Sequence, residues 1–218
     1  MKRGSFFDKI FSLVYPDSCP YCGKIIENTE VKCPNCEKNL KYIFSVREIT
    51  DGVMCISPFK YEGKVRDALR NFKFRGYRRY GWNFAIEIIK ALEVKFPQEK
   101  FSAVTSVPLH EIRQKSRGYN QSYELAKEIG NFLKIPNMEI LEKVKNICPQ
   151  YTIERYEDKI KNVKGVYKST CQCENSQNKL LLCDDIVTGG GTLTECIKAL
   201  QATGFKNILC ATVANAQK

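Results

Sequence analysis

The chain has 218 residues, 43% hydrophobic and 11% aromatic, with 35 Lys and Arg against 24 Asp and Glu and a net charge of +11. That apolar content excludes wholesale disorder, and no apolar run reaches the roughly 18 residues of a membrane span. The single histidine, His110, leaves no imidazole for a Ser-His-Asp triad elsewhere or for a histidine-rich metal centre, while the cationic excess points to nucleic acid, phosphate ligands or anionic membrane.

Along the chain, Phe6, Phe7, Ile10, Phe11, Leu13 and Val14 fit one face of a short amphipathic helix. Asp8 and Lys9 interrupt this run and no small-residue cleavage site follows, so it does not read as a signal peptide, and a soluble cytoplasmic protein is expected. Cys19-Pro-Tyr-Cys22 and Cys33-Pro-Asn-Cys36 then form two C-x2-C pairs. Cys19, Cys22, Cys33 and Cys36 make a closed four-thiolate shell, the pattern of structural Zn²⁺ with no open position for water. A polar connector is expected up to residue 50. Residues 1–50 are therefore read as a helix plus a four-cysteine zinc-knuckle domain too small for a core of its own, stapled by its metal.

From residue 51 the pattern alternates. Strands are expected at 56–61, 101–109, 138–144, 179–183 and 207–214, and helices at 64–74, 82–96, 122–133 and 192–203. Gly204 stands just past the last helix as its stop signal. Alternating strands and helices imply an α/β domain with a mostly parallel sheet over 51–218. Of the seven remaining cysteines, Cys183, Cys196 and Cys210 read as small buried hydrophobes. Cys55 and Cys148 carry no motif. Cys171 and Cys173 lie in a polar stretch read as an exposed loop, and their role is left open.

The most informative segment runs from Lys179 to Thr192. An apolar strand ends in Asp184-Asp185, and Thr188-Gly189-Gly190-Gly191-Thr192 opens into a helix. Ligands of parallel α/β sheets bind at the carboxyl ends of strands, and a helix start presents unpaired N–H groups to an anion. Glycines let the backbone close round a phosphate, and the two threonines add hydroxyl donors. Thr192 and Glu195 also fit a capping box. The loop lacks the Lys-Ser/Thr of a Walker A sequence, and its acids precede the glycines, unlike a dinucleotide fingerprint. Vicinal hydroxyls a short distance from a phosphate, as in a ribose 5-phosphate, suit this order of groups.

Residues 59–82 interleave Lys60, Lys64, Arg66, Arg70, Lys73, Arg75, Arg78 and Arg79 with Phe59, Tyr61, Phe72, Phe74, Tyr77, Tyr80 and Trp82. Cations for phosphates and rings for bases are the parts of a single-strand binder, although Leu69 and Phe72 read as core at helical spacing. Lys73, Arg75, Arg78 and Arg79 are the nucleic-acid candidates. A second basic stretch, residues 143–168, reads as a solvated face.

The cysteine knuckles, YEGKVRDALRNFKFRG (61–76), VPLHEIRQKSRGYNQSYELA (107–126), KNVKGVY (161–167) and LLCDDIVTGGGTL (181–193) together resemble the ComF family of late competence proteins. The last segment is similar to the phosphoribosyl-pyrophosphate (PRPP) motif of type I phosphoribosyltransferases. The resemblance implies a phosphoribosyltransferase-like domain in which Asp184 and Asp185 hold the ribose hydroxyls as the catalytic acids and residues 188–192 bind the 5-phosphate. It also implies that the loop with Pro108, His110, Arg113 and Arg117 borders a pyrophosphate carrying Mg²⁺. Two residues depart from the family pattern: Gly189 where a second threonine is usual, and Lys159 where an arginine is common. His110 is read either as a phosphate donor or acid for the leaving pyrophosphate, or as a loop residue without chemistry. Arg113, Lys115 and Arg117 are read as a clamp for the anion. The implied function is binding of PRPP with Mg²⁺ and of single-stranded DNA during DNA uptake and natural transformation, with other competence proteins such as a DNA-uptake helicase as partners. The alternative is an active Mg²⁺-dependent phosphoribosyltransferase with an unidentified acceptor.

Overall fold

The computed structural model describes residues 17–144, 165–173 and 178–217. The opening amphipathic helix, Cys148 and Lys159 lie outside the described residues, as does most of the 143–168 basic stretch. The described elements are α1 (Pro34–Asn39), β1 (Tyr42–Thr50), β2 (Val53–Lys60), α2 (Gly63–Phe74), α3 (Tyr80–Lys95) and β3 (Ala103–Ser106). There follow α4 (Glu111–Arg117), α5 (Gln121–Leu133), β4 (Leu141–Lys143), β5 (Tyr167–Ser169), β6 (Lys179–Val187), α6 (Gly191–Gln201) and β7 (Asn207–Asn215).

The main sheet has the order β1-β2-β7-β6-β3, and β4 pairs with β5 in a separate two-stranded ribbon. The β2–β7, β7–β6 and β6–β3 pairings are parallel, and β1 alone is antiparallel, at one edge. This is the α/β architecture with a mostly parallel sheet that the alternating pattern predicts.

Side chains alternate across the sheet as strand geometry requires. Leu181 and Cys183 of β6 face a core shared with Leu69 and Phe72 of α2, Phe84 and Ile88 of α3, and Leu125 and Ile129 of α5. Leu180 and Leu182 face a second core with Leu193, Cys196 and Leu200 of α6 and with the β4–β5 ribbon. Cys183, Cys196 and Cys210 are buried in these cores, as small hydrophobes would be, and burial raises the thiol pKa of each.

The connector expected before residue 50 is instead the nine-residue strand β1, paired with β2 from Tyr42–Phe59 to Thr50–Val53. Asp51 and Gly52 join them, both with positive φ (50° and 74°), the conformation of a two-residue hairpin turn. The hairpin thus crosses the division expected at residue 50. The cysteine knuckle packs on the first core as well: Tyr21 meets Phe59 and Phe84 edge-on at 5.9 and 6.1 Å. Beside it, Lys32 is ion-paired with buried Glu87 of α3, and the Tyr42 hydroxyl donates to Glu87 at 2.7 Å. The short helices α1 and α4 and the strand β5 are further elements that periodicity did not foretell, each being seven residues or fewer.

Candidate functional site

Strand β3 stops at Ser106, whose partner on β6 is Cys183, while β6 continues beside β7 to Val187. The next residues of β6, Asp184 and Asp185, therefore project past the end of β3, where the sheet has a notch. The acids lie inside the strand, not at its end as its apolar run suggested. Their side chains leave opposite faces of β6, yet the notch brings both onto one cavity of about 690 Å³. Also lining it are Tyr61, Arg66, Arg70, Lys73 and Phe74 from the β2–α2 side, Val107, Pro108, Leu109, Arg113 and Arg117 from the segment after β3, and Tyr167, Thr188 and Thr192.

Each acid has its own partner. Asp184 Oδ1 accepts from the Ser122 hydroxyl at 2.7 Å and from the Asp185 N–H at 2.9 Å. Asp185, only 7% exposed, is ion-paired with Lys73 Nζ at 2.9 Å. Burial, followed by the negative charge of Asp185, pushes Asp184 up to about 7, although Ser122 and Lys73 favour its charged form. Asp184 therefore holds a proton close to neutral pH.

Ser122 is placed by the start of α5. Asn120 caps this helix by accepting from the Ser122 N–H at 3.0 Å, and its amide donates to the Val107 carbonyl at 3.0 Å, tying the helix to the end of β3. Buried Gln121 accepts from Arg117 Nη1 at 2.9 Å and donates to the Lys73 carbonyl at 3.3 Å. Arg117 also lies 4.9 Å over the Phe74 ring. Ser122, Gln121 and Tyr167 were given no role by the sequence, and Phe74 only one as a ring for bases, because their contribution to the cavity depends on which elements meet. The Asn-x-Ser start of α5 was the available signal for Ser122.

The glycine loop folds onto the start of α6. Gly190, at φ +86°, is the N-cap, and its carbonyl accepts from Thr194 N–H at 2.9 Å. A Cβ there would lie 3.0 Å from Arg47 Nη2 and 3.6 Å from the Ile49 side chain, both of β1, so position 190 demands glycine by conformation and by space. Thr188 and Thr192 line the cavity, whereas Gly189, Gly190 and Gly191 do not. The expected capping box does not form, since the helix begins before Thr192. Glu195 instead accepts from Gly165 N–H at 2.8 Å and from Lys198 at 3.1 Å, and Thr192 hydrogen-bonds to Tyr167.

The segment expected to be a loop after β3 contains α4. His110 is its N-cap, Nδ1 accepting from Ile112 N–H at 3.4 Å, and it does not line the cavity, while Pro108, Arg113 and Arg117 do. Among the nucleic-acid candidates, Lys73 is turned inward onto Asp185. Arg78 is paired with buried Glu124 at 2.6 Å and Arg79 with Asp17 at 3.2 Å. Arg75 is exposed and has no acidic partner among the described residues.

The thiol sulfurs of Cys19, Cys22, Cys33 and Cys36 all lie within 4.8 Å of one another, Cys22 and Cys33 at 3.5 Å. A tetrahedral ion with bonds of about 2.3 Å needs sulfurs about 3.8 Å apart, so this cluster fits Zn²⁺. Cys22 and Gly23 donate their N–H groups to the Cys19 carbonyl at 3.4 and 2.9 Å, making the tight turn of a knuckle. Cys171 and Cys173 join no such cluster among the described residues. They are half-buried against the second core, Cys173 N–H bonding to the Thr203 carbonyl at 2.8 Å, where an exposed loop was expected. No described helix is long and apolar enough to cross a membrane.

Residues 10–47 match the double zinc ribbon domain. Competence protein F of Haemophilus influenzae is 26% identical over 87% of this chain and 81% of its own length. Competence protein ComFC of Bacillus subtilis is 25% identical over 85% of this chain and 72% of its own. That of Streptococcus pneumoniae is 26% identical over 92% and 82%. A purine phosphoribosyltransferase from Pyrococcus horikoshii aligns with a TM-score of 0.36 and 17% identity, covering 63% of this chain and 85% of its own. With this similarity along most of its length and a zinc ribbon at its N-terminal side, the chain is a homologue of the ComF and ComFC competence proteins.

Proposed function

We propose that the cavity at Asp184 and Asp185 binds PRPP together with Mg²⁺, and that the protein also binds single-stranded DNA, acting in DNA handling during competence. The observation that carries the first half is the meeting of the acid pair, two threonine hydroxyls and a cationic wall on one cavity. Asp184 and Asp185 offer acceptors to ribose hydroxyls. Thr188 and Thr192 offer donors to a 5-phosphate. Arg113 and Arg117 supply positive charge to a pyrophosphate, and guanidinium forks suit phosphate oxygens. Asp184 and Asp185 would help to hold Mg²⁺ arriving with the pyrophosphate, and the metal would supply charge neutralisation to the leaving group.

The second half rests on the exposed cations and rings of residues 66–79, on the zinc ribbon and on the competence relatives. The protonation of Asp184 near neutral pH favours a second reading, in which the site also turns over PRPP as a phosphoribosyltransferase. A carboxyl near 7 can exchange a proton during loss of pyrophosphate.

Calorimetric titration of PRPP with and without Mg²⁺, on the wild type and on Asp184→Asn/Asp185→Asn, tests the site. Metal-dependent binding lost in the double variant is expected. Absence of binding in the wild type would remove both readings of the cavity. Single-stranded oligonucleotide binding that weakens with salt is the parallel expectation for the DNA half.

A further inference from the structure

Among the described residues the exposed aromatic side chains are Phe74 and Tyr77, 59% and 44% exposed, and both lie in the basic stretch. Soluble proteins rarely leave two neighbouring rings to water among arginines without a use for them. Tyr77 is stacked on Tyr80 with centroids 5.0 Å apart. Phe74 lies under the Arg117 guanidinium and stands with it on the wall of the acid-pair cavity. Arg66 and Arg70, one turn apart on α2, line the same wall, and Arg70 has no acidic partner among the described residues. The chain then leaves α2 through Arg75 and Gly76 to Tyr77. Cations and rings therefore run without a break from inside the cavity to the outer surface.

We infer that a single-stranded nucleic acid lying on this track inserts a phosphate-bearing end into the cavity, with its last base on Phe74 and its terminal phosphate on the Arg66–Arg70 wall. The end therefore excludes PRPP. This rests on the reading of the cavity and track proposed above. A terminal phosphate monoester carries nearly two negative charges, against one for an internal diester, so the arginine wall favours an end over the middle of a strand. The terminal phosphate at Arg66 and Arg70 and the pyrophosphate of PRPP at Arg113 and Arg117 would share one cavity, where like charges repel.

The test is fluorescence anisotropy with a 12-nucleotide oligo-dT carrying a terminal phosphate, the same oligomer dephosphorylated, and a closed circle of dT. The phosphorylated strand is expected to bind roughly tenfold tighter than the circle, the preference falling to near unity in Phe74→Ala and in Arg70→Ala. Both side chains are exposed, so these variants fold. PRPP with Mg²⁺ is expected to remove the same tenfold. Equal binding of circle and strand, or a preference untouched by PRPP, overturns the insertion while leaving PRPP binding by calorimetry intact. Absence of binding by every oligonucleotide overturns the insertion together with the DNA half of the proposed function. Absence of PRPP binding by calorimetry condemns the cavity reading separately.

Discussion

Asp184→Asn isolates the electrostatics of the acid pair. In the folded protein Asp184 sits at about 7, against an ordinary value of 3.8, so ionising it costs more in the folded state than in the unfolded chain. The sign follows directly. The folded state keeps a proton that the unfolded chain has released, so stability falls as pH rises from about 4 to about 7, and the loss is complete above that window. About three pH units correspond to about 4 kcal/mol. Asp184 is only half-buried at the cavity wall, so solvent screening reduces this by about half, to about 2 kcal/mol. Asparagine keeps the carbonyl oxygen that accepts from Ser122 and from the Asp185 N–H, while its charge is gone. At pH 8 the variant should therefore be more stable than the wild type by about 2 kcal/mol, a rise of about 4–8 °C in Tm for a chain of this size. At pH 4 the two should coincide. Thermal denaturation followed by circular dichroism across this range reads both numbers. A variant less stable at pH 8, or a difference independent of pH, would refute the reasoning.

Removal of zinc with a strong chelator should release one Zn²⁺ per chain, read with a chromogenic zinc indicator, and lower the Tm; release of none would refute the assignment of the four thiols. Glu87→Ala should cost about 3 kcal/mol in urea unfolding, since Lys32 loses its buried partner, and Lys32→Met/Glu87→Leu should recover most of it. Gly190→Ala, at φ +86° and against Arg47, should cost about 1–2 kcal/mol by the same assay and weaken PRPP binding in calorimetry. Arg70→Ala/Arg75→Ala should reduce the salt slope of oligonucleotide binding by about 1.4 without lowering Tm. Arg78→Ala, by contrast, should lower Tm because it strips buried Glu124 of its counter-charge.

Much of this protein is legible locally. Helix α2 and helix α5 announce themselves by apolar residues every three or four positions, and β6 and β7 by apolar runs between polar breaks. The four cysteines state their geometry through spacing alone. The β1–β2 hairpin was legible too: Asp51-Gly52 between two strand-like runs is a strong turn signal. Strand β1 read as connector because its faces do not divide into polar and apolar: Val46 and Glu48 are exposed, whereas Arg47 and Ile49 both lie beside Gly190.

The site divides along the same line. Residue type and order alone determined that two acids, a glycine turn and a helix start lie together, because these are neighbours in the chain and bring their chemistry with them. Their partners were decided by tertiary structure. Ser122 reaches Asp184 across 62 positions because β3 stops short and α5 begins in the gap. Lys73 serves Asp185 and not a surface strand because the last turn of α2 ends over the notch. Arg47 and Gly190 meet because an antiparallel edge strand lies beside the loop. Such contacts depend on where strands end and how helices cross, and these are set by the packing of two cores on one sheet, which no local pattern encodes.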